Sequence, residues 1–226
     1  MFMTGVSGII PGTNSSAVGS TDIGVSFVDQ DSRINSSGIW TASGLSFGAE
    51  APDRRIIAIV PSSDDGAHSC SAVTIGGVAA TKHCEVTGGT QISIWSALVP
   101  TGPTGDAVIT FTGTGGSGEV QAVFLYRLVG ANNSAPDFTA TATSNVGSVT
   151  IDHNANSVTV AGGIDANTDN SPAHTMTGVD HDANDYRGGT TAMAVGHKAN
   201  ASSGSIVVSM TNVEGTLDKF AALSWS

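Results

Sequence analysis

Short runs rich in Val, Ile and Thr recur along this chain at close intervals, and most are closed off by Gly, Pro, Asn or Asp. β-Branched side chains favour extended backbone and turn residues reverse it, so this rhythm predicts strands joined by tight turns. The runs are 23–29, 38–48, 54–62, 71–77, 78–86, 91–99, 106–113 and 119–129. A more polar set occupies 147–153, 157–165, 174–179, 190–198, 205–212 and 219–226. Residues 56–60 are apolar throughout, as in a strand buried on both faces. Residues 91–99 alternate instead, with Ile92, Ile94, Ser96 and Leu98 on one face, and the closing run turns Phe220 and Leu223 inward. Charged residues make up 12% of the 226, too few to dress several amphipathic helices. A hydrophobic fraction of 39% is equally unlike a disordered chain. The expected fold is all-β, a two-sheet β-sandwich of jelly-roll-like connectivity. Residues 1–20, rich in Gly, Ser and Asn, read as a flexible N-terminal arm. Residues 21–226 read as a single β-sandwich domain in which late strands complete early sheets, with a subdivision conceivable only near 131–145. No sequence repeat is visible.

The net charge of -11, from 8 Lys+Arg against 19 Asp+Glu, supplies no basic stripe for phosphates. The densest basic spot is Arg54-Arg55, beside Asp53. Nucleic acid and anionic membrane surfaces are therefore not the expected partners. No stretch approaches the roughly 20 apolar residues that a spanning helix needs. The first residues lack the basic region and continuous apolar core of a secretory signal, so the usual export route is not expected. Cys70 and Cys84 flank a hairpin that turns at Gly76-Gly77. A three-residue loop sets them opposite each other, where they could form a disulfide; a two-residue loop pairs Cys70 with His83 instead.

Candidates for chemistry are few. Three acidic segments, read as turns, repeat an Asp-x-Asn/Asp-x-Asn/Asp spacing whose oxygens can converge on calcium, the best being Asp180, Asp182 and Asn184. That segment lacks the Gly at position six and the Glu at twelve of an EF-hand, and Asp and Asn are also ordinary turn residues. No other cofactor is expected. None of the six histidines belongs to a short zinc signature, and no GxSxG elbow occurs. No catalytic residue can be named, and an enzyme is not expected. For binding, rings exposed to solvent are the useful ones: Trp95 and Trp225 sit in strand patterns and should be buried. Tyr186, with Arg187 beside it in DANDYRGG, is the best candidate for a surface ligand site such as a glycan platform.

The stretches GLSFGAEAPDRRIIAIV (44–60), SAVTIGGVAATKH (71–83), IWSALVPTGPTGDAVITFTG (94–113) and AVFLYRLVG (122–130) resemble a group of small β-sandwich structural proteins of tailed bacteriophages and prophages. The likeness covers mainly residues 40–130, with the closing run KFAALSWS matching in character. It implies a non-enzymatic accessory component of a virion, assembled in the host cytoplasm, either a capsid decoration protein or a tail fibre or receptor-binding component. Partners would be other virion proteins and further copies of the chain, a trimer by analogy, with loops around 164–172 and 180–189 facing outward. The alternative expectation is a carbohydrate-binding module recognising cell-surface glycans, with or without calcium.

Overall fold

The structure, a computed structural model, describes residues 23–34, 38–113, 120–143, 148–166, 174–187, 191–211 and 218–226, with backbone alone at 64–68 and 166. The N-terminal arm predicted over 1–20 lies outside the described residues. The first half of the chain forms β1 (Gly24–Ile34), β2 (Ile39–Ser46), β3 (Arg55–Ile75), β4 (Val78–Ala79), β5 (Thr81–Val86), β6 (Gly88–Leu98), β7 (Thr104–Thr112) and β8 (Val120–Val129). The second half forms β9 (Phe138–Thr143), β10 (Ser148–His153), β11 (Ser157–Ala166), β12 (Met176–Thr177), β13 (Asp180–Arg187), β14 (Thr191–Asn200), β15 (Gly204–Met210) and β16 (Lys219–Trp225). The chain is all-β, and its ladders are antiparallel.

These strands make four sheets stacked face to face. The first runs β1-β8-β3-β6-β5, and the second runs β2-β7-β3-β4, sharing the long strand β3. The third runs β13-β14-β11-β16-β9 and the fourth β10-β15-β12. Late strands were expected to complete early sheets, but β9–β16 pair only among themselves in the described ladders. Pairing changes over at 130–137, and β9 occupies part of the segment read as a linker. The physical reason lies in the order of the layers. Each half forms its own sandwich, and the two are joined through side chains rather than backbone hydrogen bonds.

Three apolar cores separate the four layers. Ile56, Ala58 and Val60 face one way from β3, into a core with Trp40, Ile75 and Phe111 of the second sheet and with Phe47 just beyond β2. Ile57 and Ile59 face the other way, onto Val160, Val195, Leu223 and Trp225 of the third sheet. The unbroken apolar run at 56–60 thus serves two cores from one strand. Fully burying a side chain of this size is worth roughly 1.5–3 kcal/mol. The third core lies between the last two sheets and holds Phe220 with Val149, Ile151, Val208 and Met210. Phe220 and Leu223 are both buried, on opposite faces of β16. Trp95 and Trp225 are buried as expected, at 4% and 0% exposure.

A glycine of β11 packs directly against the first sheet. A Cβ on Gly162 would meet Ile59 Cγ2 at 2.9 Å and Ile92 Cδ1 at 3.2 Å. Its neighbour Gly163 lies under the ring of Phe220, where a Cβ would meet Cε1 at 2.6 Å. At the Gly76-Gly77 turn both residues have positive φ, 58° and 79°, with Ile75 paired to Val78. That is a two-residue primed turn, whose geometry demands glycine or asparagine. Past Ala79 the chain leaves β3 and crosses to the first sheet, where β5 pairs with β6. Neither pairing expected for Cys70 therefore forms: it lies opposite Phe111, and both cysteines are free.

Counted from the first strand of each half, the two large sheets have the same order. The first sheet reads 1-8-3-6-5, and so does the third when β9 is counted as one and β16 as eight. In the partner sheets the second strand pairs with the seventh in both halves. The equivalent strands β7 and β15 carry GDAVITFT (105–112) and GSIVVSMT (204–211). Both turn alternate residues inward: Ala107, Ile109 and Phe111 in one, Ile206, Val208 and Met210 in the other. A repeat that the sequence conceals is plain in the topology.

Candidate functional site

The segment from Asp180 to Arg187, read from sequence as an outward loop, is β13, the edge strand of the third sheet. Its polar composition suits an edge, where charge discourages pairing with another chain. A bulge falls between His181 and Ala183, so that Asp182 is the extra residue. The bulge reverses the parity of the residues beyond it. Asp180 lies opposite His197, on the face turned toward the first sheet, whereas Asn184 lies opposite Ala194, on the face turned toward the fourth. The alternation that would gather Asp180, Asp182 and Asn184 on one side is therefore broken.

Each of the three has a separate environment. Asp180 is exposed. Asp182 Oδ2 accepts hydrogen bonds from the Tyr126 hydroxyl at 2.9 Å and from His197 Nδ1 at 2.6 Å. Asn184 donates its amide Nδ2 to the carbonyl of His174 at 3.2 Å. Among the described residues no three His, Cys, Asp or Glu side chains are arranged to hold a metal ion. Tyr186 and Arg187 are also parted by the strand. Tyr186 is half-buried opposite Ala192, while Arg187 is opposite Thr191 and turns toward β1. There Arg187 Nε donates to Ser32 Oγ at 2.9 Å and lies 3.2 Å from Asp185 Oδ1.

What the site does bring together is Tyr126, Asp182 and His197. Tyr126 projects from β8 in the first half, and its ring meets Phe27 and His197 edge-on, at 5.5 and 6.0 Å between centroids. The hydrogen bond to Asp182, a nearby carboxylate and partial burial act on His197, and the net effect raises its pKa. Burial and the Asp182 carboxylate push the Tyr126 hydroxyl well above its usual range. The constellation can hold a proton on His197 and link the two sandwiches. The pairing of Asp182 with Tyr126, 56 residues earlier, left no signal in local spacing.

A second polar group crosses the same central core. His83 Nε2 and Ser96 Oγ are 2.8 Å apart, Arg55 lies 5.8 Å from the centre of the Trp225 ring, and His83 meets that ring edge-on. Burial and the Arg55 charge pull the His83 pKa down to about 4, so its ring is neutral near pH 7. A neutral histidine beside a buried serine is half of a nucleophilic pair, but at this pKa it is a weak base. At the far end of the third sheet a cleft of about 270 Å³ is lined by Ile23, Asn156, Ser157, Ala199, Asn200 and Ala201. Asn200 Nδ2 is held there by Ser157 Oγ and Thr159 Oγ1, at 3.2 and 2.9 Å.

No family model, no curated protein and no solved structure matches the chain.

Proposed function

We propose that this protein is a non-enzymatic accessory structural component of a tailed-phage virion, borne on the particle as a capsid decoration or tail fibre protein. The observation that carries this reading is the repeated strand order. When the two runs of β3, 55–63 and 69–75, are counted separately and β5 is treated as an addition at the edge, the first half reads 1-8-3-6 over 2-7-4-5. That order is the one expected of two interleaved Greek keys, a jelly roll, which is a common building block of viral shells. The third sheet repeats it, which supports reading the chain as two jelly-roll-like modules fused through their larger sheets. The reactive side chains also support a structural role. Tyr126, Asp182, His197, His83 and Ser96 are engaged in contacts within and between the modules. Broad outer faces such as Thr41, Thr74, Thr110 and Ile39 are then available for packing against further copies or other virion proteins.

A second reading, a glycan-binding module, has one observation in its favour: the cleft at Asn156, Ser157 and Asn200 combines amide and hydroxyl groups with an apolar floor. That geometry favours the cleft over Tyr186 and Arg187 as the place for a sugar.

Immunogold electron microscopy of purified particles, with antibodies against this chain, tests the first reading. Label on the head supports decoration, and label at the tail supports a fibre or receptor-binding post. Bare particles refute an exposed virion component. A glycan array on the isolated protein, repeated with Asn200→Ala, then decides the second.

A further inference from the structure

The third core ends on a group of polar side chains withdrawn from solvent. Asp165, near the end of β11, is 0% exposed, Asp218, just before β16, is also 0%, and His174, before β12, is 1%. His174 Nε2 lies 3.4 Å from Asp165 Oδ2. Neither oxygen of Asp218 has a hydrogen-bond partner among the described residues, and neither does either ring nitrogen of His174. Ile164 of β11 pairs with Lys219 of β16, so the next step of the same antiparallel register sets Asp165 across from Asp218, and two carboxylates cannot hydrogen-bond unless one carries a proton. Leaving two buried negative charges in contact is far costlier than protonating one of them.

We propose that Asp165 and Asp218 share one buried proton, which ties the end of β11 to the start of β16 and makes closure of the second sandwich weaken as pH rises. The groups bearing on the pair are His174 from the segment before β12 and Lys219 from β16. Lys219, at 4% exposure, favours the charged form of Asp218. Burial outweighs it, the neighbouring Asp165 carboxyl acts in the same direction, and the Asp218 pKa is raised to about 8. An aspartate in the unfolded chain releases its proton near pH 3.9, to within about a unit. Between about pH 4 and about pH 8 the native state thus binds a proton that the unfolded state has lost, and stability falls through that window before levelling off.

The test compares thermal unfolding of the full chain and of Asp218→Asn across that range, with infrared spectra of both at neutral pH. Asparagine keeps the shape of the protonated carboxyl and donates to Asp165 without titrating. The wild-type Tm should fall as pH rises and that of Asp218→Asn should fall less. The wild-type spectrum should contain a protonated carboxylic acid band that the variant lacks. Equal pH slopes, with no acid band at neutral pH, overturn the proposal. If Asp218→Asn does not fold, the wild-type spectrum decides alone. A divalent cation found at one per chain by native mass spectrometry, with the Tm lowered by EDTA, also overturns it.

Discussion

Arg54 offers the sharpest test of how the first sandwich is held together. Its guanidinium is 0% exposed, and the hydrogen bonds described for it go to backbone carbonyls rather than carboxylates. Nε donates to Val99 at 2.6 Å, Nη1 to Gly48 at 2.8 Å and Phe47 at 3.4 Å, and Nη2 to Gly102 at 2.7 Å and Thr101 at 2.9 Å. One side chain therefore pins the turn after β2 to the turn between β6 and β7. Burial lowers the pKa of Arg54, with Glu50 opposing, yet arginine starts so high that the charge is kept. Arg54→Met keeps much of the apolar stem and removes every donor. The contacts with Val99 and Phe47 are the buried ones, and each orphaned buried carbonyl costs about 1–3 kcal/mol. Water can reach the other three, which then add little. Two such carbonyls cost about 2–6 kcal/mol, and subtracting about 1–2 kcal/mol regained by no longer burying a charge leaves a loss centred on about 2–3 kcal/mol. At this chain length that is a fall in Tm of about 4–12 °C. Arg54→Lys, with three donors on a single nitrogen, should lose about half as much. The assay is urea unfolding followed by tryptophan fluorescence, since Trp40 and Trp95 both lie in the affected core. If Arg54→Met unfolds within about 0.5 kcal/mol of wild type at unchanged m-value, the carbonyl contacts do not hold the turns together.

Four further outcomes are expected. Because the His197 pKa is raised, its charged bond to Asp182 stabilises fully below the unfolded value and is lost as pH rises through the folded one; His197→Gln should cost about 1–2 kcal/mol near pH 6 and much less near pH 9, and an equal cost at both would show that its charge is not used. Gly162→Ala should cost about 1–3 kcal/mol by overpacking against Ile59, with a double-mutant cycle to Ile59→Ala recovering part of it; additive losses would place the clash elsewhere. Burial pushes both thiols up to about 12, so Cys70 and Cys84 should react with a thiol reagent only on unfolding, and fast labelling of the native protein would contradict their placement. Asp182 is already taken by two hydrogen bonds, so added calcium should leave the Tm unmoved, whereas a rise that EDTA reverses would restore the calcium reading of β13.

Most strands were legible because their cause is local. Residue types set the backbone preference, turn residues set the ends, and an unbroken run such as 56–60 announces burial on both faces. β9 and β13 were missed for the same reason. Their Thr, Ala, Asn and Asp are turn or linker residues by composition, and they become strands only because β16 and β14 offer them a ladder. The sequence leaves the loop length at Gly76-Gly77 open, and a turn that closes only when both glycines take positive φ decides it. For the candidate site, the sequence groups Asp180, Asp182 and Asn184, and the structure gives each a separate environment. Spacing alone would join Asp180 to Asn184, and one bulged residue puts them on opposite faces. Nothing in the sequence announced the stacking of two like-ordered sandwiches. Sheet order depends on which strands meet after long excursions, and side-chain packing tolerates such varied residues that equivalent strands keep an inward pattern while sharing few identities. The sequence by itself determined where the chain extends and where it turns. Tertiary structure alone decided which strands pair, which polar groups are buried against one another, and that Tyr126 from one half finds Asp182 in the other, because those outcomes rest on contacts between residues far apart in the chain.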